Sequence, residues 1–318
     1  MKTFLQDLET ELTKKQINKD EIKEILADHK EMIDEAISEG LSEDEIVKKF
    51  GSPEQIADEC AAFTEKNPKV ANESRFALYK SFPVLSDQIN LNIVLVDEDF
   101  EIVRGTSSSI EVLYSGKGKI EDYTIELVDE TFTLRGPKNY GIRFFNSRRS
   151  DLNFLVKLPN ILVSNFLMNA VNSDAKVSDI KISTMESRTT NGDLDFNNIT
   201  AVDVKLDTVN GDIKMKNYNL TTLKFSAVSG DVLMSEGKIE DEFKVNTVSG
   251  DFHVKNSKCN KAYFTTVSGD IVGDNFYPDS ITMKSVSGDI TIKNTDMTHI
   301  INIESKKSVS GTIKIVSK

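Results

Sequence analysis

Thr266-Val267-Ser268-Gly269-Asp270-Ile271 is one copy of a phrase that returns throughout the C-terminal half of this 318-residue chain. Its glycine recurs as Gly192, Gly211, Gly230, Gly250, Gly269, Gly288 and Gly311, at spacings of 19, 19, 20, 19, 19 and 23 residues. Aspartate follows the first six, as Asp193, Asp212, Asp231, Asp251, Asp270 and Asp289, and Thr312 follows the last. Nineteen residues before Gly192 stands Asn172-Ser173-Asp174, a copy without its glycine. A period held this long marks stacked units, each burying its apolar face against its neighbours.

Aligned on the glycine, the columns acquire physical roles. Apolar residues stand two and four positions after it, as in Leu194 and Phe196, Ile213 and Met215, or Phe252 and Val254. Strict alternation puts them on one face of a strand. A second alternating strand lies seven and five positions before the glycine, as in Val204 and Leu206 or Phe243 and Val245. A small residue three positions before it and a valine two before it then break the parity, as Thr266 and Val267 do. A corner begins there, and the sequence leaves open which of the two faces inward. Identical phrases at every turn favour a parallel β-solenoid of about 19-residue coils over a sandwich, whose hairpins would alternate two kinds of turn. Eight coils stacked at about 4.8 Å make a rod about 35–40 Å long.

The glycines are expected to sit at positive φ, where a Cβ is strained. Asn-Gly and Ser-Gly-Asp are turn signals whose aspartates can accept backbone N–H groups. Stacking places Asp174, Asp193, Asp212, Asp231, Asp251, Asp270 and Asp289 in a ladder of like charges, which needs hydrogen bonding or a shared cation. Turn capping is the first reading and a calcium ladder the alternative. The recurring phrase, seen best at Thr266 to Ile271 and Ser285 to Ile290, resembles an adhesin-like bacterial β-strand-repeat family of unknown function. The resemblance spans about residues 85–316 and implies a β-helix-like fold with no catalytic residues to transfer.

The N-terminal residues read differently. Residues 1–66 hold 9 Lys against 18 Asp or Glu, so −9 of the chain's net −12 lies there. Such a surface repels phosphate backbones and excludes direct nucleic-acid binding, while favouring a basic protein partner. Four helices are expected. Phe4, Leu5, Leu8 and Leu12 form the first apolar stripe, and Asn18 caps a second helix that carries Ile22, Leu26, His29 and Ile33 and ends at Gly40. Ser42-Glu43-Asp44-Glu45 and Ser52-Pro53-Glu54-Gln55 are capping boxes that open the third and fourth. The run from Leu41 to Ala57 resembles the bacterial HAAS helical signalling domain. That resemblance covers residues 1–63 and implies a cytoplasmic interaction domain whose partner is a PadR-type regulator or a membrane-associated signalling protein. Glu43, Asp44, Glu45 and Glu54 are the candidate docking residues.

The expected fold is therefore multidomain α plus β. A small all-α bundle over 1–66 precedes a linker at 67–76, an irregular β region at 77–163 and the regular solenoid at 164–318. No stretch is long and apolar enough for a transmembrane helix, and no secretory signal is read in the first residues. Cys60 and Cys259 offer no disulfide framework or paired metal ligands, and no cofactor is assigned. Lys138, Arg143, Arg148 and Arg149 are the one basic concentration, read as a solvated loop. The functional expectation is a non-enzymatic cytoplasmic interaction or scaffold protein, regulatory or associated with envelope stress. An exported adhesin is the alternative, ahead of a polysaccharide-acting solenoid enzyme. The edge of the last coil is a candidate surface for self-association.

Overall fold

The computed structural model describes residues 2–15, 22, 26, 30, 52–57, 76–137, 152–296 and 298–317. The chain divides into two compact units, Met1–Arg75 and Phe76–Lys318. In the first, α1 (Lys2–Lys14) buries Phe4, Leu8 and Leu12, one stripe at helical spacing. Residues 53–57 are also helical, with the expected capping box at their start. The Ser52 N–H donates to Gln55 Oε1 at 3.0 Å, and the Gln55 N–H donates to Ser52 Oγ at 3.2 Å. Ile22, Leu26 and Lys30 of the expected second helix are helical too, and Ile22 is buried. Asn18, His29, Gly40, Cys60 and the expected 42–45 capping box lie outside the described residues.

The second unit begins with β1 (Ala77–Pro83), β2 (Gln88–Leu95), β3 (Asp99–Arg104), β4 (Ser109–Ser115), β5 (Thr124–Val128), β6 (Thr131–Arg135) and β7 (Asn153–Leu158). Then come β8 (Leu162–Ala170), β9 (Ala175–Ser178) and β10 (Lys181–Thr189). The long ladder strands are β11 (Leu194–Thr208), β12 (Ile213–Ala227), β13 (Val232–Thr247), β14 (Phe252–Thr266) and β15 (Ile271–Ser285). The chain closes with β16 (Ile290–Asn294), β17 (Asn302–Ser308) and β18 (Ile313–Ser317). It is a parallel β-solenoid. Leu194 pairs with Ile213, Phe196 with Met215 and Val204 with Leu223, each 19 residues on. The one 20-residue coil absorbs its extra residue as a register shift between Ile239 and Phe243.

The coils between Ala175 and Ser285 have three inward-facing sides rather than the two read from the sequence. The additional side, seven and nine positions after the glycine, buries Ile199 and Ala201, Tyr218 and Leu220, and Phe276. Before it the backbone turns through a left-handed residue: Asp179 (φ 60°), Asn198 (54°), Asn217 (55°), Glu236 (59°), Asn256 (47°) and Asn275 (49°). Asn and Asp tolerate this conformation best among residues with a Cβ. The core is aromatic toward the C-terminal coils, where Phe243 meets Phe264 edge-on at 5.4 Å and Phe264 stacks on Phe276 at 5.6 Å. Each such ring contributes about 1.5–3 kcal/mol by leaving water.

The irregular region belongs to the same stack, but out of chain order. β2 pairs in parallel with β8 on one side and β6 on the other, and β3 does the same with β9 and β7. The coil built from residues 88–104 is thus inserted between those built from 131–158 and 162–178. The end of the stack is then closed by antiparallel strands, β5 on β6, β4 on β7 and β1 on β4. They cover the open edges that a parallel stack leaves. At the other end β17 pairs with β15 and β18 with β16. There Lys306, exposed, takes the register position beside buried Met283, so a charge blunts the last coil.

Candidate functional site

The repeated corner forms a continuous ridge along the solenoid. Its small residue faces inward: the hydroxyl of Thr266 donates to the Gly269 carbonyl at 2.5 Å, Thr247 to Gly250 at 2.7 Å and Thr208 to Gly211 at 3.2 Å. The valine faces out. Val209, Val228, Val248, Val267 and Val286 are 39–47% exposed, an apolar stripe one residue wide. Beside it the Nδ2 of Asn210 donates to Asn191, Asn191 to Asn172 and Asn172 to Asp97, at 2.7–2.9 Å. Serine replaces asparagine farther along, and Ser268 and Ser287 donate to the Val248 and Val267 carbonyls at 3.0 and 3.1 Å.

The glycines do not adopt positive φ, contrary to the expectation. Among the described glycines only Gly116, outside the repeat, does so (φ 107°). The reason for glycine is close stacking. A Cβ on Gly211 would lie 2.0 Å from the Gly192 carbonyl oxygen, and one on Gly250, Gly269, Gly288 or Gly311 would lie 2.1 Å from the oxygen of the glycine one coil earlier. Gly192 and Gly230 are equally confined. The column has no room for a methyl group.

The aspartates form a hydrogen-bonded ladder. Oδ1 of Asp174 accepts the Asp193 N–H, Asp193 that of Asp212, Asp212 that of Asp231, and so on through Asp251, Asp270 and Asp289, at 2.8–2.9 Å. The Asp289 carboxylate accepts the Thr312 N–H at 2.6 Å. The ladder runs one step farther back than the repeat, because the Asp174 N–H donates to Asp99 at 3.0 Å. Asp97-Glu98-Asp99 is therefore the same corner, disguised by a 75-residue offset. Glu98, fully buried in the glycine's place, accepts the Val96 and Asp97 N–H groups and the Tyr123 hydroxyl. Capping explains how like charges are stacked, since each carboxylate holds a backbone donor. Among the described residues no three His, Cys, Asp or Glu side chains are grouped to hold a metal ion.

Of the candidate docking residues, Glu54 is described and exposed, while Glu43, Asp44 and Glu45 lie outside the described residues. Lys138, Arg143, Arg148 and Arg149 do too. Cys259 is buried, and burial raises its thiol pKa, as for a packing residue.

A cleft of about 510 Å³ lies on the additional side, beside the last coils. Its floor is Ile239 and Cys259, and its walls include Lys258, Asn260, Asp279 and the loop bearing Asp296 and His299. The loop is where the 23-residue coil spends its extra residues, and that spacing was its signal in the sequence. The Tyr277 ring meets His299 edge-on at 5.5 Å, and the His299 Nε2 lies 2.9 Å from the Pro278 carbonyl. The Thr298 N–H and hydroxyl donate to Asp296 Oδ1 at 2.9 and 2.6 Å and lower the pKa of its carboxyl.

A β-solenoid with laddered corners and one capped end is the architecture that these observations define. Residues 88–318 match the Toastrack DUF4097 family, and the chain belongs to it. Residues 3–59 match HAAS. No curated protein matches the chain. Among solved structures it is similar to a "putative lipid binding protein" of Parabacteroides distasonis, at 17% identity and TM-score 0.54, over 75% of this chain and 96% of that one. "Putative adhesins" of Bacteroides fragilis and Parabacteroides merdae are both 14% identical, with TM-scores of 0.40 and 0.39. They are covered over 97% and 98% of their lengths, and this chain over 75% and 78%. At these identities the first comparison speaks for the fold alone.

Proposed function

We propose that the chain is a non-enzymatic interaction protein whose acidic HAAS region docks a protein partner and whose solenoid supplies a rigid surface. The observation that carries this reading is the union of the two family matches, with most of the net negative charge concentrated on the HAAS side. Excess carboxylates favour a basic protein face by long-range attraction. The partner in this reading is a PadR-type regulator or a membrane-associated signalling protein, met in the cytoplasm. Edge-to-edge association through β17 and β18 is a second contact within it. No helix among the described residues is long and apolar enough to cross a membrane.

Titration of the full chain with the purified PadR-type regulator of the same organism tests the docking. Binding should weaken with salt and be lost when Glu43, Asp44, Glu45 and Glu54 are all replaced by lysine. No binding at all removes this partner, and binding that survives the reversal removes the acidic residues as its docking site. Fractionation of native cells tests the compartment, and recovery outside the cytoplasm would favour the adhesin alternative. Light scattering that shows only monomer would remove the edge contact.

A further inference from the structure

The cleft has two rails. Residues two apart on a strand point the same way, about 6.5–7 Å from each other. Register places Lys238 beside Lys258 and Lys258 beside Tyr277. Two positions on, the parallel outward column reads Glu240, Asn260 and Asp279. Lys238 closes onto Glu240 at 3.0 Å. Among the described residues the side chains of Lys258, Asn260 and Asp279 make no hydrogen bond or ion pair, so the groove keeps one ammonium, one amide and one carboxylate for a ligand.

Charge narrows the class of that ligand. Two lysines face the three carboxylates of Glu240, Asp279 and Asp296. A phosphate would meet the carboxylates and a polycation the ammonium groups, each at short range. A neutral molecule with many hydroxyls suffers neither penalty and uses donors and acceptors alike. The volume lies within the range of about 300–1,000 Å³ usual for small-ligand sites. Tyr277 adds an aromatic ring at the rim.

We propose that this cleft binds a neutral saccharide unit of a glycan. Hydroxyls along one edge of the sugar accept from the Lys258 ammonium. Those along the other edge donate to Asp279 and exchange hydrogen bonds in both directions with the Asn260 amide, while a C–H face of the sugar rests on Tyr277. The step is binding only. It is independent of the partner assigned to the helical region.

Isothermal titration of the full chain with maltotriose, cellotriose and triacetylchitotriose tests it. At least one should bind with a Kd near or below about 1 mM. Asp279→Ala and Asn260→Ala should each weaken binding about tenfold, the value of roughly one hydrogen bond. Lys284→Ala, at an exposed position outside the cleft, should leave binding unchanged. The replaced side chains are exposed, so unchanged melting temperatures should show that the variants fold. The proposal fails if none of the three sugars binds, or if binding survives both cleft substitutions. It fails equally if glycylglycine binds with a steep salt dependence and no sugar does, which would assign the groove to a zwitterion.

Discussion

Replacing Gly269 by alanine separates two reasons for a glycine that predict different numbers. In the structure an added Cβ falls 2.1 Å from the Gly250 carbonyl oxygen, whereas ordinary contact begins at 3.4 Å. The two coils must therefore part locally by more than 1 Å, against a stacking distance of about 4.8 Å. The N–H groups of three consecutive residues there donate to the coil before: Ser268 to Val248 O at 2.8 Å, Gly269 to Val248 O at 3.3 Å, and Asp270 to Asp251 Oδ1 at 2.8 Å. At about 1 kcal/mol each, the loss of these bonds totals about 3 kcal/mol, the upper end of ordinary overpacking costs. Asparagine carries the same Cβ and should cost at least as much as alanine. Were positive φ the reason, alanine would cost about 1–2 kcal/mol and asparagine, which tolerates that region, clearly less. Urea unfolding read as a shift in midpoint at constant m distinguishes them. Gly269→Asn milder than Gly269→Ala, or Gly269→Ala below about 1 kcal/mol, would refute the stacking argument.

A second glycine gives a pairwise test: a Cβ on Gly237 would fall 2.3 Å from the Tyr218 ring, whose hydroxyl donates to Ser257 Oγ at 2.7 Å. Gly237→Ala should destabilise the wild type and be partly rescued in Tyr218→Ala, with a coupling of about 0.5–3 kcal/mol in a double-mutant cycle; strict additivity would contradict the contact. Asp251→Ala should cost about 0.5–1.5 kcal/mol by orphaning the Asp270 N–H, whereas Asp251→Asn, which keeps an acceptor and sheds a like charge, should be neutral or stabilising. Melting temperatures that rise with calcium and fall with chelator would instead revive the cation ladder. For Asp274, burial raises the carboxyl pKa, but the hydrogen bond with His253 at 2.6 Å and the charge of Lys293 outweigh it, so the folded value lies below the ordinary one. Its small contribution should be present above the unfolded value of about 3.9 and be lost as pH falls through the folded value, and His253→Ala should flatten stability over that acid range.

Much of the solenoid was legible because its information is periodic. The spacing from Gly192 to Gly311 gives the coil length, and alternation at Leu194 and Phe196 or Val204 and Leu206 gives two of the sides. The third side stayed hidden. Its column runs through Ile199, Tyr218, Gly237, Ser257 and Phe276, a mixture without hydropathic regularity, because Tyr218 fills the space that Gly237 vacates and reaches Ser257 two coils away. Residues 88–104 read as strands of the same architecture, but their insertion out of chain order was invisible: the partner corner lies 75 residues away, and Asp97-Glu98-Asp99 shares no glycine with the phrase. The cleft announced itself only as a long interval before Gly311.

By itself the sequence determined that identical corners recur, that they are turns, and that the flanking residues alternate between core and solvent. These are local consequences of residue type and period, and they hold whatever the neighbours are. Only the tertiary structure decided why the glycines are glycines, which corner residue faces inward, and which strands close the N-terminal end. Each of those depends on atoms one coil away: a carbonyl 2.1 Å from an absent Cβ, a threonine hydroxyl on a glycine carbonyl, an antiparallel strand on an otherwise open edge. A sequence specifies such contacts only through the stack that brings them together.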